Sequence, residues 1–156
     1  MTGRPANPSS RTIPPPRRIL FLCDRNSVRS PMAHALAAAR AGTAARIDSV
    51  GLEAGALDPF SIAVMAEIGI DISGHVPRES DALGEARFDL IIALTPAARS
   101  RARDIAAVSG AEVAFWPIAD PTLGEGSREQ RLAAYRAVRD DLAARIAAIL
   151  PAPAAG

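Results

Sequence analysis

Short apolar runs alternate with helix-forming segments along this chain of 156 residues, and the alternation restricts the possible folds more than any other feature. A continuous apolar run of about 4–8 residues is typical of a strand buried on both faces. Four runs are predicted as strands, at 18–22, 47–50, 88–94 and 112–116. Strands that alternate with helices form a parallel sheet with both faces covered. The sequence therefore predicts a single-domain, three-layer α/β fold, in which a four-stranded parallel sheet carries helices on both faces.

Capping residues and prolines mark the helices. Ser30 is predicted to cap a first helix that starts at Pro31, and later helices start at Pro59 and Pro96 because proline fits the first turn. Ser127 is predicted to cap a long final helix that carries one apolar stripe. The stretches "GLEAG" and "LGEG" lack the glycine spacing of a dinucleotide-binding fingerprint, so they are predicted to be turns.

Charge and cysteine content exclude several classes of function. The 18 basic residues, all arginine, nearly balance 17 acidic residues, and a net charge of +1 predicts no nucleic acid or membrane partner. One cysteine permits no intramolecular disulfide, and with only two histidines the chain offers no cluster of metal ligands. We therefore expect a cytoplasmic protein that uses no metal and no organic cofactor.

The two ends of the chain differ in composition from its centre. Residues 1–17 are rich in proline and arginine and offer almost nothing to bury, and residues 151–156 are similar. We expect a disordered tail at 1–17, one folded domain at 18–150 and a flexible tail at 151–156. No apolar stretch approaches a membrane span of about 20 residues, and no export signal is expected.

The chain's single cysteine lies where the first predicted strand turns into the first helix. This turn aims successive backbone N–H groups into one concavity, which favours an anion, and the guanidinium of Arg29 can bind two oxygens of a tetrahedral oxyanion. The same field favours the thiolate of Cys23. The residues expected to bind the oxyanion are Asp24, Arg25, Asn26, Ser27, Val28 and Arg29. A buried cysteine that only fills space is the alternative.

A carboxylate is predicted at the same edge of the sheet. Asp120 follows the last predicted strand, as Cys23 follows the first. Ligands of parallel sheets bind beyond the carboxyl ends of the strands. Both side chains are therefore candidates for one site, although an Asp-Pro pair is also a common turn.

The cysteine loop resembles the phosphate loop of the low-molecular-weight protein tyrosine phosphatases, a superfamily shared with thiol-dependent arsenate reductases. Its pattern is Cys23, five residues, then Arg-Ser-Pro-Met. The segments "DSVGLEAG", "AVMAEIGIDISGH", "FDLIIALT" and "WPIADPTLGEG" follow in the order such enzymes use, so the resemblance covers about 18–150. It implies that Cys23 is the nucleophile, Arg29 the phosphate clamp and Asp120 the general acid, and that the Ser30 hydroxyl steadies the thiolate.

The resemblance also assigns residues behind the loop and differs from the family at several positions. It implies that Asn26 and His75 hold the loop, whereas His34 is predicted to lie on a helix surface without a partner. Relatives commonly have glycine at Arg25, and many have a second cysteine at Val28. The other differences are Thr122, where tyrosine often follows Asp-Pro, and Asp24, predicted to pair with Arg25 or to repel acidic peptides.

These residues predict a phosphate-monoester hydrolase, in particular a protein tyrosine phosphatase, that works through a cysteinyl-phosphate. Its substrates would be a phosphorylated protein or a small aryl phosphate, and inorganic phosphate or arsenate would bind as oxyanion ligands. Two alternatives remain open. One is an arsenate reductase that uses an external low-molecular-weight thiol, and the other is a non-catalytic oxyanion-binding module. Positioning and charge are the main requirements of phosphoryl transfer, so no cofactor is needed.

Overall fold

A computed structural model describes residues 15–152 and contains one four-stranded sheet. The strands are β1 (Arg18–Cys23), β2 (Arg46–Gly51), β3 (Leu90–Ala93) and β4 (Glu112–Phe115), and the helices are α1 (Arg29–Ala41), α2 (Pro59–Ala66), α3 (Pro96–Ser109) and α4 (Arg128–Ile149). Two short 3₁₀ turns lie at Ser80–Leu83 and Pro121–Leu123. Most of the predicted tails at 1–17 and 151–156 lies outside the described residues. None of the helices within residues 15–152 combines the length and apolar character of a membrane span.

All strands of the sheet are parallel, in the order β2-β1-β3-β4. The chain leaves β1 toward β2 on one side, and β3 then pairs with the other side of β1. Such a reversal of strand order opens a crevice at the carboxyl ends of the strands. Because Cys23 is the last residue of β1, the topology places its thiol at this crevice.

Side chains of β1 alternate between two apolar layers, as expected for a strand buried on both faces. Ile19, Phe21 and Cys23 pack in the layer that includes buried residues of α1, α2 and α4. Leu20 and Leu22 pack in the layer covered by α3. The predicted three-layer α/β fold is thus confirmed.

Three of the helix starts agree with the prediction and one does not. Pro59 and Pro96 begin α2 and α3, and Ser127 caps α4 through a capping box with Gln130. The prediction that Ser30 caps the first helix is wrong. Helix α1 begins at Arg29 with no side-chain cap, and Ser30 lies fully buried inside it. Its hydroxyl lies 2.8 Å from the sulfur of Cys23, so it does not cap the helix.

The capping box provides a test of the fold. We expect Ser127→Ala to lower the free energy of unfolding by about 1 kcal/mol, because the backbone N–H of Gln130 loses its acceptor, 3.1 Å away. Denaturant unfolding measures the change. As a control, Ser100→Ala alters an exposed serine of α3 and should leave stability unchanged or slightly increased. Equal effects of the two substitutions would contradict a role for the cap.

Candidate active site

The thiol of Cys23 lies at the floor of a cleft of about 590 Å³ at the carboxyl edge of the sheet. Only 3% of the residue is exposed. The residues lining the cleft are Cys23, Asp24, Arg25, Ser27, Val28, Arg29, Ala56, Leu57, Asp58, Pro59, Asp120 and Thr122. The cleft thus brings the predicted nucleophile, the predicted clamp and the predicted acid together. Asn26, Ser30 and His75 are absent from this lining and lie behind the loop.

The backbone of the cysteine loop is held from outside by the segment 52–58. Four N–H groups of this segment donate to four carbonyls of the loop, from Leu52 to Cys23 (3.0 Å), Glu53 to Asp24 (3.0 Å), Gly55 to Arg25 (2.8 Å) and Asp58 to Ser27 (3.1 Å). In a trans peptide the N–H points opposite to the carbonyl. Each carbonyl directed outward therefore turns the next N–H group into the cleft. One of them, the N–H of Asn26, lies 3.3 Å from the sulfur of Cys23.

Close backbone approach explains two glycines of the stretch "GLEAG", for which the sequence predicts a turn: Gly51 at the end of β2 and Gly55 in the outer segment. A Cβ at Gly51 would lie 2.6 Å from the backbone nitrogen of Asn26, and one at Gly55 would lie 2.5 Å from the Ser27 hydroxyl. Asn26 itself has a φ of 53°, a left-handed conformation that asparagine tolerates better than most residues. A left-handed residue next to a right-handed one can turn neighbouring N–H groups toward one anion-binding concavity.

A chain of hydrogen bonds runs behind the thiol, and its donors can be assigned. Arg78 donates its backbone N–H to Asn26 Oδ1 (2.9 Å), which fixes the orientation of this amide. Asn26 Nδ2 must then donate to Ser30 Oγ (2.7 Å), and His75 Nε2 (2.9 Å away) must donate to Asn26 Oδ1. The hydroxyl proton of Ser30 is left for Cys23 Sγ, 2.8 Å away. The arrangement suits a sulfur that accepts hydrogen bonds, as a thiolate does.

His34 is not a surface residue without a partner, so that prediction is wrong. Its Nδ1 lies 2.8 Å from Ser49 Oγ, and its ring lies edge-to-face with that of His75 at 5.9 Å. Burial, and then nearness to His75, lower the pKa of His34. Burial and nearby Arg78 lower the pKa of His75. Sequence reasoning missed the pair because the two histidines lie 41 positions apart, on α1 and in a loop.

The guanidinium of Arg29 lies between two carboxylates at the side of the cleft. Nη1 donates to the carbonyl of Ile118 (3.1 Å), while Nη2 lies 3.8 Å from Asp24 Oδ2 and 3.9 Å from Asp120 Oδ2. Its side chain is only 13% exposed. The contact with Ile118 orients the guanidinium, and both carboxylates are too distant for hydrogen bonds. An oxyanion could therefore bind to Nη2 without first displacing a close ion pair.

Asp24 and Arg25 do not pair with each other, contrary to one expectation. Asp24 Oδ1 accepts from the hydroxyl of Thr95 (2.6 Å), the residue that caps α3, whereas Arg25 Nε pairs with Glu53 at 3.2 Å. The two side chains therefore contact different parts of the structure. Asp24 thus joins the loop to α3, and Arg25 joins it to the outer segment.

The two carboxylate oxygens of Asp120 have different surroundings, since among the described residues one accepts hydrogen bonds and the other does not. Thr122 donates both its backbone N–H (2.9 Å) and its hydroxyl (2.6 Å) to Oδ1. Oδ2 makes no hydrogen bond to any residue within 15–152 and lies 3.9 Å from Arg29. A carboxylate anchored through one oxygen can exchange a proton through the other.

Sequence reasoning missed Asp58, a third carboxylate of the cleft. Its Oδ1 caps α2 by accepting from Phe60 N (2.7 Å), and its Oδ2 accepts from the hydroxyl of Tyr135 (2.7 Å). Burial and the hydrogen bond to Asp58 raise the pKa of Tyr135, so this hydroxyl stays protonated. The Asp-Pro at the start of α2 signals the cap. It does not signal the contact with Tyr135, which depends on how α4 packs.

The fold and its cysteine loop define the class of protein, and comparisons identify the family. The family model described as "Low molecular weight phosphotyrosine protein phosphatase" matches residues 18–153, and the chain belongs to this family. An arsenate reductase of Halalkalibacterium halodurans is 35% identical over 130 residues, which cover 82% of this chain and 91% of the relative.

The similar solved structures include both arsenate reductases and phosphatases. A structure described as an arsenate reductase in the phosphate-binding state aligns with a TM-score of 0.68 and 29% identity, covering 85% of this chain and 98% of the other. A tyrosine phosphatase of Erwinia amylovora aligns with a TM-score of 0.67 and 26% identity, covering 87% and 94%. The chain is therefore similar to both reductases and phosphatases that share this fold.

The close approach of Gly51 to the loop can be tested. We expect Gly51→Ala to destabilise the protein by about 1–3 kcal/mol, the usual cost of overpacking, and to weaken the binding of inorganic phosphate, because the new Cβ displaces the N–H of Asn26. Gly74→Ala is the control, since nothing lies within 4 Å of its added Cβ. Thermal unfolding and calorimetric titration measure the two effects. Unchanged phosphate affinity in Gly51→Ala would contradict the role given to the outer segment.

Proposed function

We propose that this protein is an arsenate reductase that uses an external low-molecular-weight thiol. The observation that carries the proposal is a lone thiol beneath converging backbone N–H groups, in a chain whose curated relatives over 82% of its length are named arsenate reductase. This choice differs from the expectation drawn from the sequence, which favoured phosphate-monoester hydrolysis. We also propose a cytoplasmic location, where a lone cysteine stays reduced.

The walls of the cleft favour a small inorganic oxyanion over a phosphotyrosine peptide. No aromatic side chain is among the residues that line it, so the ring of a phosphotyrosine would find aliphatic side chains such as Leu57 and Pro59 but no aromatic ring to stack on. Three carboxylates, those of Asp24, Asp58 and Asp120, also line the cleft. They would repel an acidic peptide that approached the opening. Arsenate has the charge and shape of phosphate and fits within this space.

In the first step the thiolate of Cys23 attacks arsenic, and an arsenic–oxygen bond breaks. Arg29 and the inward N–H groups hold the remaining oxygens. Asp120, protonated on Oδ2, gives its proton to the departing hydroxide, which leaves as water. The hydroxyl of Ser30 donates to the sulfur before the attack and so keeps the nucleophile charged and oriented.

In the second step a thiolate from solution attacks the sulfur of Cys23, because this chain has no second cysteine to do so. The sulfur–arsenic bond breaks, and its electron pair reduces arsenic from the pentavalent to the trivalent state, so that arsenite leaves. The mixed disulfide on Cys23 is then attacked by a second external thiol, which regenerates Cys23. One arsenate thus oxidises two external thiols to one disulfide.

Phosphate-monoester hydrolysis is the second candidate, because the free Oδ2 of Asp120 faces the cleft beside Arg29. In this reaction Cys23 attacks phosphorus, and Asp120 protonates the oxygen of the leaving alcohol or phenol. The carboxylate formed on Asp120 then activates the water that releases phosphate. The substrate would be a phosphorylated protein or a small aryl phosphate.

Thiol-dependent arsenite production tests the main proposal. We expect the wild-type protein to produce arsenite from arsenate at a rate that depends on added glutathione, and Cys23→Ser to produce none, because serine is almost entirely protonated at neutral pH. Arsenite is measured by chromatography coupled to elemental detection. Faster turnover of nitrophenyl phosphate than of arsenate would support the second candidate. No turnover of either would indicate a non-catalytic oxyanion-binding module.

The role of Asp120 can be measured separately with two aryl phosphates. If Asp120 protonates the leaving group, Asp120→Asn should lower any hydrolysis of phenyl phosphate by about 10²- to 10⁴-fold, and that of nitrophenyl phosphate much less, because nitrophenolate leaves without a proton. Asp104→Asn, at an exposed position of α3, is the control and should alter neither rate. Equal losses of activity on both substrates in Asp120→Asn would show that Asp120 stabilises the turn and does not act as the general acid.

A further inference from the structure

The chain's two histidines lie together behind the cysteine loop, outside the cleft. His34, half-buried on α1, and His75, half-buried in the loop after α2, have ring centroids 5.9 Å apart at an interplanar angle of 86°. The buried hydroxyl of Ser49 on β2 lies 2.8 Å from Nδ1 of His34. The ring of His34 is therefore fixed on one side by the sheet and contacts His75 on the other.

His75 is the start of the hydrogen-bond chain that ends at the sulfur. Its Nε2–H donates to Asn26 Oδ1, the amide of Asn26 donates to Ser30, and the hydroxyl of Ser30 donates to Cys23. A neutral His75 must therefore carry its proton on Nε2, with a lone pair on Nδ1. A ring that turned or changed tautomer would leave the Oδ1 of the fully buried Asn26 with one donor fewer.

The charges around the pair disfavour additional positive charge. Asp48 is the carboxylate that acts on His34 within residues 15–152, and it already faces two guanidinium groups, Arg46 at 3.6 Å and Arg78 at 3.9 Å. The pKa of each histidine lies below the ordinary 6.5, so both rings are neutral at pH 7. As the pH falls below 7, these histidines take up protons more readily in the unfolded chain than in the folded chain. The free energy of unfolding therefore decreases as the pH falls.

We propose that His34 is a positioning residue for Cys23: its ring, held by Ser49, keeps the ring of His75 edge-on and the Nε2–H of His75 directed at Asn26. The influence of His34 then reaches the sulfur through the three hydrogen bonds that begin at His75. The inference rests on the proposed function in one respect, since it takes Cys23 to be the nucleophile. In this role His34 affects the reaction without contacting the substrate.

Two variants separate the ring of His34 from its other properties. His34→Ala removes the ring, and His34→Phe restores an aromatic ring of similar width that cannot titrate. Each variant leaves a single histidine in the chain, so the nitrogen NMR signals of His75 are assigned without ambiguity. Alkylation of Cys23 by iodoacetamide, followed against pH, reports the thiolate without requiring turnover.

We expect His75 to be the Nε2–H tautomer in the wild type and in His34→Phe, and a mixture of tautomers in His34→Ala. The pH of half-maximal alkylation should rise in His34→Ala by up to about one unit, the effect of one weakened hydrogen bond, and should return toward the wild-type value in His34→Phe. A wild-type tautomer and alkylation profile in His34→Ala would overturn the inference. If iodoacetamide failed to label the wild type itself, Cys23 would be rejected as the nucleophile, and the proposed function would fall as well.

Discussion

Four backbone hydrogen bonds from the segment 52–58 to the carbonyls of the cysteine loop are the interaction on which the site depends. They occupy the outward carbonyls and leave the N–H groups to converge on the cleft. Backbone dipoles fixed by a neighbouring segment need no reorganisation when an anion binds, so they stabilise the anion without a cost in reorganisation free energy. The requirement for close contact also explains Gly51, the residue of β2 directly before this segment, where any Cβ would collide with the loop.

Polar groups are buried on the opposite side of the loop only where they are paired. Asn26 is fully buried, and its side chain makes three hydrogen bonds, to Ser30, His75 and Arg78. An unpaired amide at this depth would cost about 1–3 kcal/mol. The same pairing determines the direction of every proton in the chain that ends at Cys23. Stabilising the loop and preparing the sulfur as an acceptor are therefore achieved by one set of contacts.

The distribution of charge in the cleft bears on the choice of substrate. Arg29 lines the cleft, and the two carboxylates at 3.8 and 3.9 Å from its Nη2 are at ion-pair distance but make no hydrogen bond to it. A dianion small enough to pass between these carboxylates gains the full attraction of Arg29 and the backbone N–H groups. A large acidic ligand would also be repelled by the carboxylates of Asp24, Asp58 and Asp120 that line the cleft. The electrostatics thus favour the small oxyanion on which the proposed reduction depends.

The sequence by itself determined the α/β class, the parallel sheet and the helix starts at Pro59, Pro96 and Ser127, because these follow from local apolar runs and capping preferences. It also indicated that Cys23, Arg29 and Asp120 meet at one edge, since parallel strands end on the same side. For Ser30 it offered two roles, a helix cap and a partner of the thiolate, and it did not decide between them. It also did not determine that Asp24 bonds to Thr95 instead of Arg25, or that His34 contacts His75. Only the tertiary structure decided these, because each pairs groups far apart in the chain or chooses between two partners, and packing of the helices on the sheet selects the one within hydrogen-bond reach.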